Sequence, residues 1–309
     1  KRSFTDMCGV CGVVDLKNSP PLREDQLEAM CKTIEHRGPD GTRTMIRDSV
    51  AFGHTRLSVI DTETGWQPIA NEDDSIFVIL NGEIYNFQSL RKELSDKGHV
   101  FRTNSDTEVV VHLYEDVGLD FVERLDGMFA LAIWDEPNNK LVIARDRIGK
   151  KPLYYSENGG RFSFASEMKA LTSSGVEREV DPLALASYLT YGYVPEPLVI
   201  FKGISKLPPA HLLVFDESGT KVQRYWELNS IADSSVTVED AVAETRRLTD
   251  EAVSSRLVSD VPLGFFLSGG LDSSVVVGAA AQASSSKLRT FSIGFEEESF
   301  SELEYARTI

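Results

Sequence analysis

Apolar positions along this chain recur with two periods, and the switches between them outline the fold. Gly9–Asp15 is a short, nearly unbroken apolar run, read as a buried strand. Residues 23–35 follow with Leu27, Met30, Cys31 and Ile34 at helical spacing. Residues 50–60 carry Phe52, Leu57, Val59 and Ile60 among Gly53, His54, Thr55 and Arg56, which predicts a strand with an arginine inside it. Residues 75–80 form another apolar strand that runs into Asn81-Gly82, a step that predicts a tight turn between strands. Residues 87–97 read as a helix, and Val109, Val110, Leu113 and Tyr114 mark one face of the next. Residues 128–135 and 140–146 pair as a hairpin, and residues 153–155 with 162–165 as a second. Strand pairs flanked by helices predict stacked sheets in an α+β layer arrangement.

Beyond residue 168 the pattern loosens into a connecting region. It holds a helix at 181–189, the stiff Pro195-Glu196-Pro197 turn and a hairpin of 210–215 with 221–225. Polar and small residues cluster at 227–235, which sets a first domain at 8–226 and a second at 227–309. The second opens with an amphipathic helix at 238–254. Then come a strand at 264–267, the turn Ser268-Gly269-Gly270-Leu271-Asp272-Ser273-Ser274, a helix at 275–283 and a strand at 289–295.

Composition narrows the partners. The chain has 309 residues, 41% of them hydrophobic, enough for two cores. Its 32 basic and 48 acidic side chains leave a net charge of −16, which argues against nucleic acid or an anionic membrane surface as the main partner. No apolar run reaches the length of a membrane span, and the first six residues lack the apolar core of a signal peptide. Residues 1–7 therefore read as a leader or tag remnant. Three cysteines, at 8, 11 and 31, fit a reducing compartment better than a disulfide framework, so the expected location is the cytoplasm.

Several places carry candidate chemistry. If residues 1–7 are removed, Cys8 holds both a thiol and an α-amine of pKa roughly 7.7–8.0, nucleophile and base in one residue. The plainer alternative is a small apolar cysteine packed in a strand. Arg56, inside a strand, needs an anion, either a protein carboxylate or that of a ligand. Asn81 and the N–H of Gly82 offer two donors aimed at one point, as an oxyanion requires, or simply a hairpin. His36-Arg37-Gly38-Pro39-Asp40-Gly41 reads as a loop, and Asp106 as a helix cap. Cys8-Gly-Val-Cys11 could be a redox pair or half a zinc site. Residues three apart in a strand point to opposite faces, however, and no second pair follows. In the second domain, a strand, a Ser/Gly-rich turn and a helix N-terminus make an anion site, without the lysine of a Walker A loop.

Cys8-Gly9, His36 to Gly41, Arg56-Leu57-Ser58, Asn81-Gly82-Glu83-Ile84-Tyr85-Asn86 and Ser105-Asp106-Thr107-Glu108 together resemble a class II glutamine amidotransferase domain, and most nearly the glutamine-hydrolysing asparagine synthetase family. The resemblance implies a four-layer αββα sandwich of the N-terminal-nucleophile type. Cys8 would attack the glutamine side-chain amide, with Asn81 and Gly82 holding the oxyanion. Arg56 would bind the α-carboxylate, Glu83 and Asp106 the α-ammonium, and backbone near Ile60 would close the pocket. The loop Ser268 to Ser274 resembles the pyrophosphate loop of ATP pyrophosphatases. By that likeness Ser268, Gly269, Gly270 and Ser273 grip ATP phosphates, Asp272 helps hold Mg²⁺, and Phe266 and Ile293 border the adenosine.

The implied reaction transfers ammonia from glutamine to an aspartate adenylate, giving asparagine, glutamate, AMP and pyrophosphate. A homodimer is compatible with it, and Cys11 departs from the apolar residue more usual in the family. The second domain is expected to be the truncated beginning of an α/β ATP-pyrophosphatase domain, with Phe265, Val275, Val276, Val277 and Phe291 partly exposed. Two other readings stand beside this one. One is a related ligase with a different carboxylate or sugar acceptor; the other is a non-catalytic scaffold that binds glutamine or nucleotide and keeps its leader.

Overall fold

Strand β1 (Gly9–Asp15) is buried along its whole length because neighbours flank both edges and both faces are covered. The computed structural model describes residues 7–18, 20–230, 235–297 and 301–309, so all of the predicted leader but Met7 lies outside the described residues. The chain divides into two compact units, Lys1–Leu228 and Asn229–Ile309.

The first unit holds two six-stranded sheets in which every pairing is antiparallel. β1 lies between β3 (Val50–Arg56) and β9 (Arg161–Ala165). β2 (Gly41–Ile46) flanks β3, while β8 (Tyr154–Asn158) and β10 (Ser205–Lys206) extend the other side. The second sheet runs β12 (Gly219–Arg224), β11 (His211–Asp216), β7 (Lys140–Arg145), β6 (Gly127–Asp135), β5 (Ile76–Ile84) and β4 (Ile69–Ala70).

Side-chain alternation sorts these strands into three cores. Val10, Val14, Val50 and Phe52 of the first sheet join Phe77, Ile79, Ala132 and Trp134 of the second in one cluster. The opposite parity of the first sheet, Cys11, Val13 and Ala51, packs with Leu27, Met30 and Cys31 of α1 (Glu24–Thr33) and with Ala170 and Leu171 of α5 (Met168–Ser173). The opposite parity of the second, Val78, Leu80 and Ile84, packs with Leu90 and Leu94 of α2 (Phe87–Asp96) and with Val109, Val110 and Leu113 of α3 (Glu108–Val117). The short helix α4 (Phe121–Arg124) seals the end of that cluster with Phe121 and Val122. Helix α6 (Pro182–Tyr191) is capped by Asp181, whose carboxylate accepts from the Leu183 and Ala184 N–H groups.

Several expectations need correction. Asn81-Gly82 is not a turn: both residues lie inside β5, in unbroken register with Ala130 and Phe129 of β6. Glycine is required there because the strands close in tightly. A Cβ on Gly82 would sit 1.9 Å from the Met128 carbonyl oxygen, at a φ of +150°. Arg56 ends β3 instead of lying within a strand running to residue 60; the chain turns away beyond it, through Asp61 at φ +51°. The 36–41 segment is not all loop. Residues Glu35–Arg37 make a 3₁₀ turn that buries Arg37, and Gly41 already starts β2. Asp106 caps no helix, since the N-cap of α3 is Thr107.

The second unit contains α7 (Val238–Ser255), β13 (Phe265–Phe266), α8 (Leu271–Ala283), β14 (Thr290–Phe291) and α9 (Leu303–Thr308). β13 and β14 pair in parallel, and both are shorter than the apolar runs that predicted them. α8 begins at Leu271, four residues early, because Gly270 supplies its N-cap. The buried cluster is small: Val253, Ala279 and Ala280, with Leu257, Phe265 and Leu288 against it. Val275, Val276 and Phe291 are exposed, and Val277 is half-buried. Of the 227–235 boundary segment, residues 231–234 lie outside the described residues. Among the described residues no helix is long and apolar enough to cross a membrane.

Gly82→Ala is expected to lower the unfolding free energy by at least about 1–3 kcal/mol, the usual cost of forcing atoms into a closed space. Denaturant unfolding measures this. An unchanged midpoint would mean that β5 and β6 are not as close as described.

Candidate active site

The parity that builds the core shared by the two sheets also brings the candidate residues together. Cys8 continues the Val10 and Val14 series of β1, and Arg56 and His54 continue the Val50 and Phe52 series of β3. Asn81 and Glu83 continue the Phe77 and Ile79 series of β5. Polar groups therefore take over where this apolar core stops. Cys11, of opposite parity, faces α1 instead, its Sγ 3.7 Å from that of Cys31. The Cys8-x-x-Cys11 spacing thus makes neither a chelate nor a redox pair.

Cys8 is half-buried at the mouth of β1. Its Sγ lies 3.4 Å from the Leu57 N–H nitrogen and 3.5 Å from the Leu57 carbonyl oxygen. Its own carbonyl accepts from Arg37 Nε at 3.1 Å, and Arg37 Nη1 is anchored by Glu167 at 3.1 Å. Burial pushes the thiol pKa up, and so does Asp106; the Leu57 N–H, Lys151 and Arg56 oppose this. Here Cys8 is joined to Met7, whose N–H donates to the Arg37 carbonyl at 2.7 Å and whose Sδ lies 3.0 Å from Lys151 Nζ.

Asn81 is fully buried, yet neither its amide oxygen nor its amide nitrogen has a hydrogen-bond partner among the described residues. Leaving both ends of a buried amide unpaired costs on the order of 1–3 kcal/mol per group, which marks the side chain as waiting for a ligand. The backbone beside it is also available. On the outer side of β5 the Leu80 N–H donates to Gln67 Oε1 at 2.5 Å and the Ile84 N–H to Asp106 Oδ2 at 2.8 Å. Ladder alternation points the intervening Gly82 N–H the same way. On β6, its opposite number Phe129 spends both backbone groups on Asp146.

Arg56 has no carboxylate within salt-bridge distance among the described residues. Its Nη2 donates to the carbonyls of Asp61 and Ile60, its guanidinium lies 4.9 Å from the centre of the Trp66 ring, and its buried Nη1 is unpaired. Burial lowers its pKa, against the pull of Cys8, Asp61 and Asp40. Asp106 is buried, which lifts its carboxyl to about 6. Its hydrogen bonds from the Ile84 N–H and from Ser105 resist this, and Glu83 adds to it. Glu83 is raised by burial too, with Lys151 pulling the other way. The site thus holds a bare cation at Arg56 and carboxylates at Glu83 and Asp106.

Residues that pattern reading gave no role complete the picture. Arg37 clamps the Cys8 carbonyl, and Lys151, buried, has its pKa lowered by desolvation while Glu83 and Cys8 pull it back up. Lys151 sits at the end of a loop organised by Asp146, whose carboxylate accepts from the N–H groups of Phe129, Ile148, Lys150 and Lys151. His54 Nε2 lies 3.3 Å from the Leu80 carbonyl, and burial depresses its pKa to about 3, so it is neutral there. The Arg145-Asp146-Arg147-Ile148-Gly149-Lys150-Lys151 run was the available signal, but it looks like a solvated charge run.

In the second unit, the loop from Ser268 to Gly270 joins β13 to the start of α8. Gly269 adopts φ +85° against the backbone of Tyr305 and Ala306, where a Cβ would clash at 2.5 Å. Ser268 Oγ lies 3.0 Å from Ser273 Oγ and accepts from the Gly270 N–H at 3.2 Å. Leu271, Asp272 and Ser273 form the first turn of α8, so their N–H groups have no partner within the helix. Phe266 and Ile293, both exposed, stand on or just past the two parallel strands.

Comparison with known proteins agrees with this division. A glutamine amidotransferase domain model matches residues 7–226, and an asparagine synthase model matches residues 244–309. The chain is 42% identical over 299 residues to the glutamine-hydrolysing asparagine synthetase 3 of Bacillus subtilis (strain 168), covering 94% of this chain and 48% of that protein. It is 38% identical over 303 residues to asparagine synthetase 1 of the same organism, covering 96% and 48%. It therefore spans about half the length of these relatives. The solved glutamine phosphoribosylpyrophosphate amidotransferase of B. subtilis, in complex with ADP and GMP, aligns over 94% of this chain and 67% of its own, with a TM-score of 0.51 and 17% identity, which shows likeness of fold.

The raised pKa of Asp106 has a stability consequence. Its folded value, about 6, lies above the ordinary 3.8, so its contribution to stability is complete below the ordinary value and fades as pH rises through about 6. Asp106→Asn has no such dependence. Its melting temperature relative to the parent is therefore expected to be higher at pH 8 than at pH 5, read by thermal unfolding at both. A pH-independent difference, or one of opposite sign, would show that Asp106 is not held in a desolvated site.

Proposed function

Because the chain belongs to the glutamine amidotransferase family, we propose that its first unit hydrolyses glutamine with Cys8 as nucleophile. The observation that carries this reading is the fully buried, unpaired Asn81 amide beside the Gly82 N–H, on the core side to which Cys8 also belongs. We read the three cores as those of a four-layer αββα sandwich. Glutamine is a zwitterion with an amide. Arg56 Nη1 binds its α-carboxylate near the Ile60 carbonyl, and Glu83 and Asp106 bind its α-ammonium.

With Cys8 as first residue, its α-amine takes the thiol proton and the thiolate sulfur attacks the side-chain carbonyl carbon. The developing oxyanion is held by the Asn81 amide N–H and the Gly82 N–H. Collapse breaks the C–N bond. The leaving nitrogen takes the proton from the α-ammonium of Cys8 and departs as ammonia, leaving a γ-glutamyl thioester. Water, deprotonated by the same amine, cleaves the thioester to glutamate and restores the thiol. Arg37 holds the Cys8 carbonyl throughout, which fixes the direction of the amine.

For the second unit we propose an ATP site of the asparagine synthetase type. Its Ser/Gly loop, the first-turn N–H groups of α8 and the Ser273 hydroxyl suit phosphate oxygens. Asp272, an acid on that same turn, would help hold Mg²⁺, which would offset the phosphate charge. Phe266 and Ile293 offer the adenosine an apolar border. ATP supplies the activation of the acceptor carboxylate as an adenylate; aspartate is the acceptor in this reading, and ammonia converts it to asparagine. Three free thiols suit a reducing, cytoplasmic setting.

Two measurements test the glutaminase. A form beginning at Cys8 is expected to turn over glutamine, and a form retaining residues 1–7 to lose nearly all turnover, since its amine is tied up as an amide. Equal rates would overturn the role of the amine. Arg56→Lys keeps the charge but loses the planar fork, so affinity for glutamine should fall by about 1.5–3 kcal/mol by calorimetry. Undiminished affinity with a lower melting temperature would make Arg56 a purely structural residue.

A further inference from the structure

We propose that Glu72, His99, His112 and Glu115 form a four-ligand site for a divalent metal ion, zinc(II) being the ion whose preferences match the set best. The four come from three stretches of chain. Glu72 lies in the turn between β4 and β5, His99 in the segment after α2, and His112 and Glu115 one turn apart on α3. One ligand atom from each lies within 4.8 Å of the other three.

Three of the spacings are those of a coordination shell, and a fourth is wider. Metal bonds of about 2.0–2.2 Å in a tetrahedron separate neighbouring ligand atoms by about 3.3–3.6 Å. His112 Nδ1 is 3.2 Å from Glu115 Oε2 and 3.3 Å from Glu72 Oε2. His99 Nδ1 is 3.1 Å from Glu72 Oε1 and 4.0 Å from Glu115 Oε2. Imidazole nitrogen with carboxylate oxygen, and no thiolate, is a zinc-compatible donor set.

The surroundings orient each ligand as a metal site needs. Both imidazoles present Nδ1 to the common point; His99 Nε2 is held by Asp116 at 3.1 Å, whereas His112 Nε2 faces Glu108 at 3.7 Å without a hydrogen bond. The carboxylates are fixed as well. Asn71 Nδ2 donates to Glu115 Oε1 at 2.8 Å, and the Val100 N–H to Glu72 Oε1 at 2.9 Å. His112 is fully buried, with His99 and Phe101 each 4.7 Å away ring to ring, whereas Glu72 is partly exposed and leaves a way in. Four carboxylates thus surround two imidazoles, and Lys97, on Asp116, is the lysine paired with this set. An ion here would clamp the segment around His99 to α3. That segment runs on through Arg102 and Thr103, whose N–H groups bond Glu108, to Asp106.

The test uses the full chain, stripped with chelator and dialysed, then titrated with cobalt(II) and separately with zinc(II). The expected result is one equivalent of cobalt bound with the visible spectrum of a tetrahedral N/O site and no thiolate band, and a higher melting temperature with zinc. His99→Gln and Glu72→Gln, both at partly exposed positions, should each remove the melting gain and weaken binding more than tenfold. Asp116→Asn should weaken it by about 10–100-fold. Absence of cobalt uptake, uptake with a thiolate band, or uptake unaltered by both His99→Gln and Glu72→Gln would overturn the proposal. The cluster would then be a plain network of charged side chains.

Discussion

The alternation of side chains across two antiparallel sheets is the constraint on which the rest of this structure depends. Val10, Val14, Val50, Phe52, Phe77, Ile79 and Trp134 meet in one core because they share a parity on their strands. The same parity, carried to the strand ends, sends Cys8, Arg56, Asn81 and Glu83 to that side as well. A slip of one residue in β1 or β5 would exchange each set for its opposite; in β1 it would turn Cys11 into the shared core and Cys8 away from it. Large side chains such as Trp134, Phe52 and Phe162 therefore do more than stabilise. They fix the distance between Cys8 on the first sheet and Asn81 on the second.

Burial sets the electrostatics of the site in the same stroke. Cys8, Glu83 and Asp106 are each shifted toward their uncharged forms by desolvation, and Lys151 is shifted toward neutrality as well. Arg56, which cannot neutralise, keeps two backbone carbonyls and a ring for company and leaves Nη1 bare. Such a site is costly when empty, and in the proposed reading a zwitterion brings both missing partners. The unpaired amide of Asn81 adds to that cost, and in the proposed reaction it is recovered as charge develops on the substrate oxygen.

How much of this was legible in the chain depends on the range of the interaction. Strands and helices of the first unit followed from their periods, because each buries one face locally: α1 shows it through Leu27, Met30 and Cys31. Candidate site residues with a distinctive local pattern, Cys8, Asn81 and Gly82 among them, could be proposed from the chain, although Asn-Gly was misread as a turn. That step is a strong turn signal locally, and only the approach of the Met128 carbonyl explains why a mid-strand position demands glycine. Arg37 and Lys151 could not be assigned, because their neighbours at the site lie 29 and 144 residues away in sequence. The Cys11–Cys31 contact and the cluster around His112 were invisible for the same reason. In the second unit the apolar runs overstated the strands, since only two residues of each find a partner.

In the proposed reaction the fold singles out one of three thiols and aims it at a glutamine-shaped ligand. Labelling with a diazoketone analogue of glutamine, followed by peptide mass mapping of a form that begins at Cys8, tests it most directly. One equivalent of label is expected, on Cys8 alone, prevented by excess glutamine. Label on Cys11 or Cys31, or labelling of Cys8 that glutamine does not prevent, would contradict it.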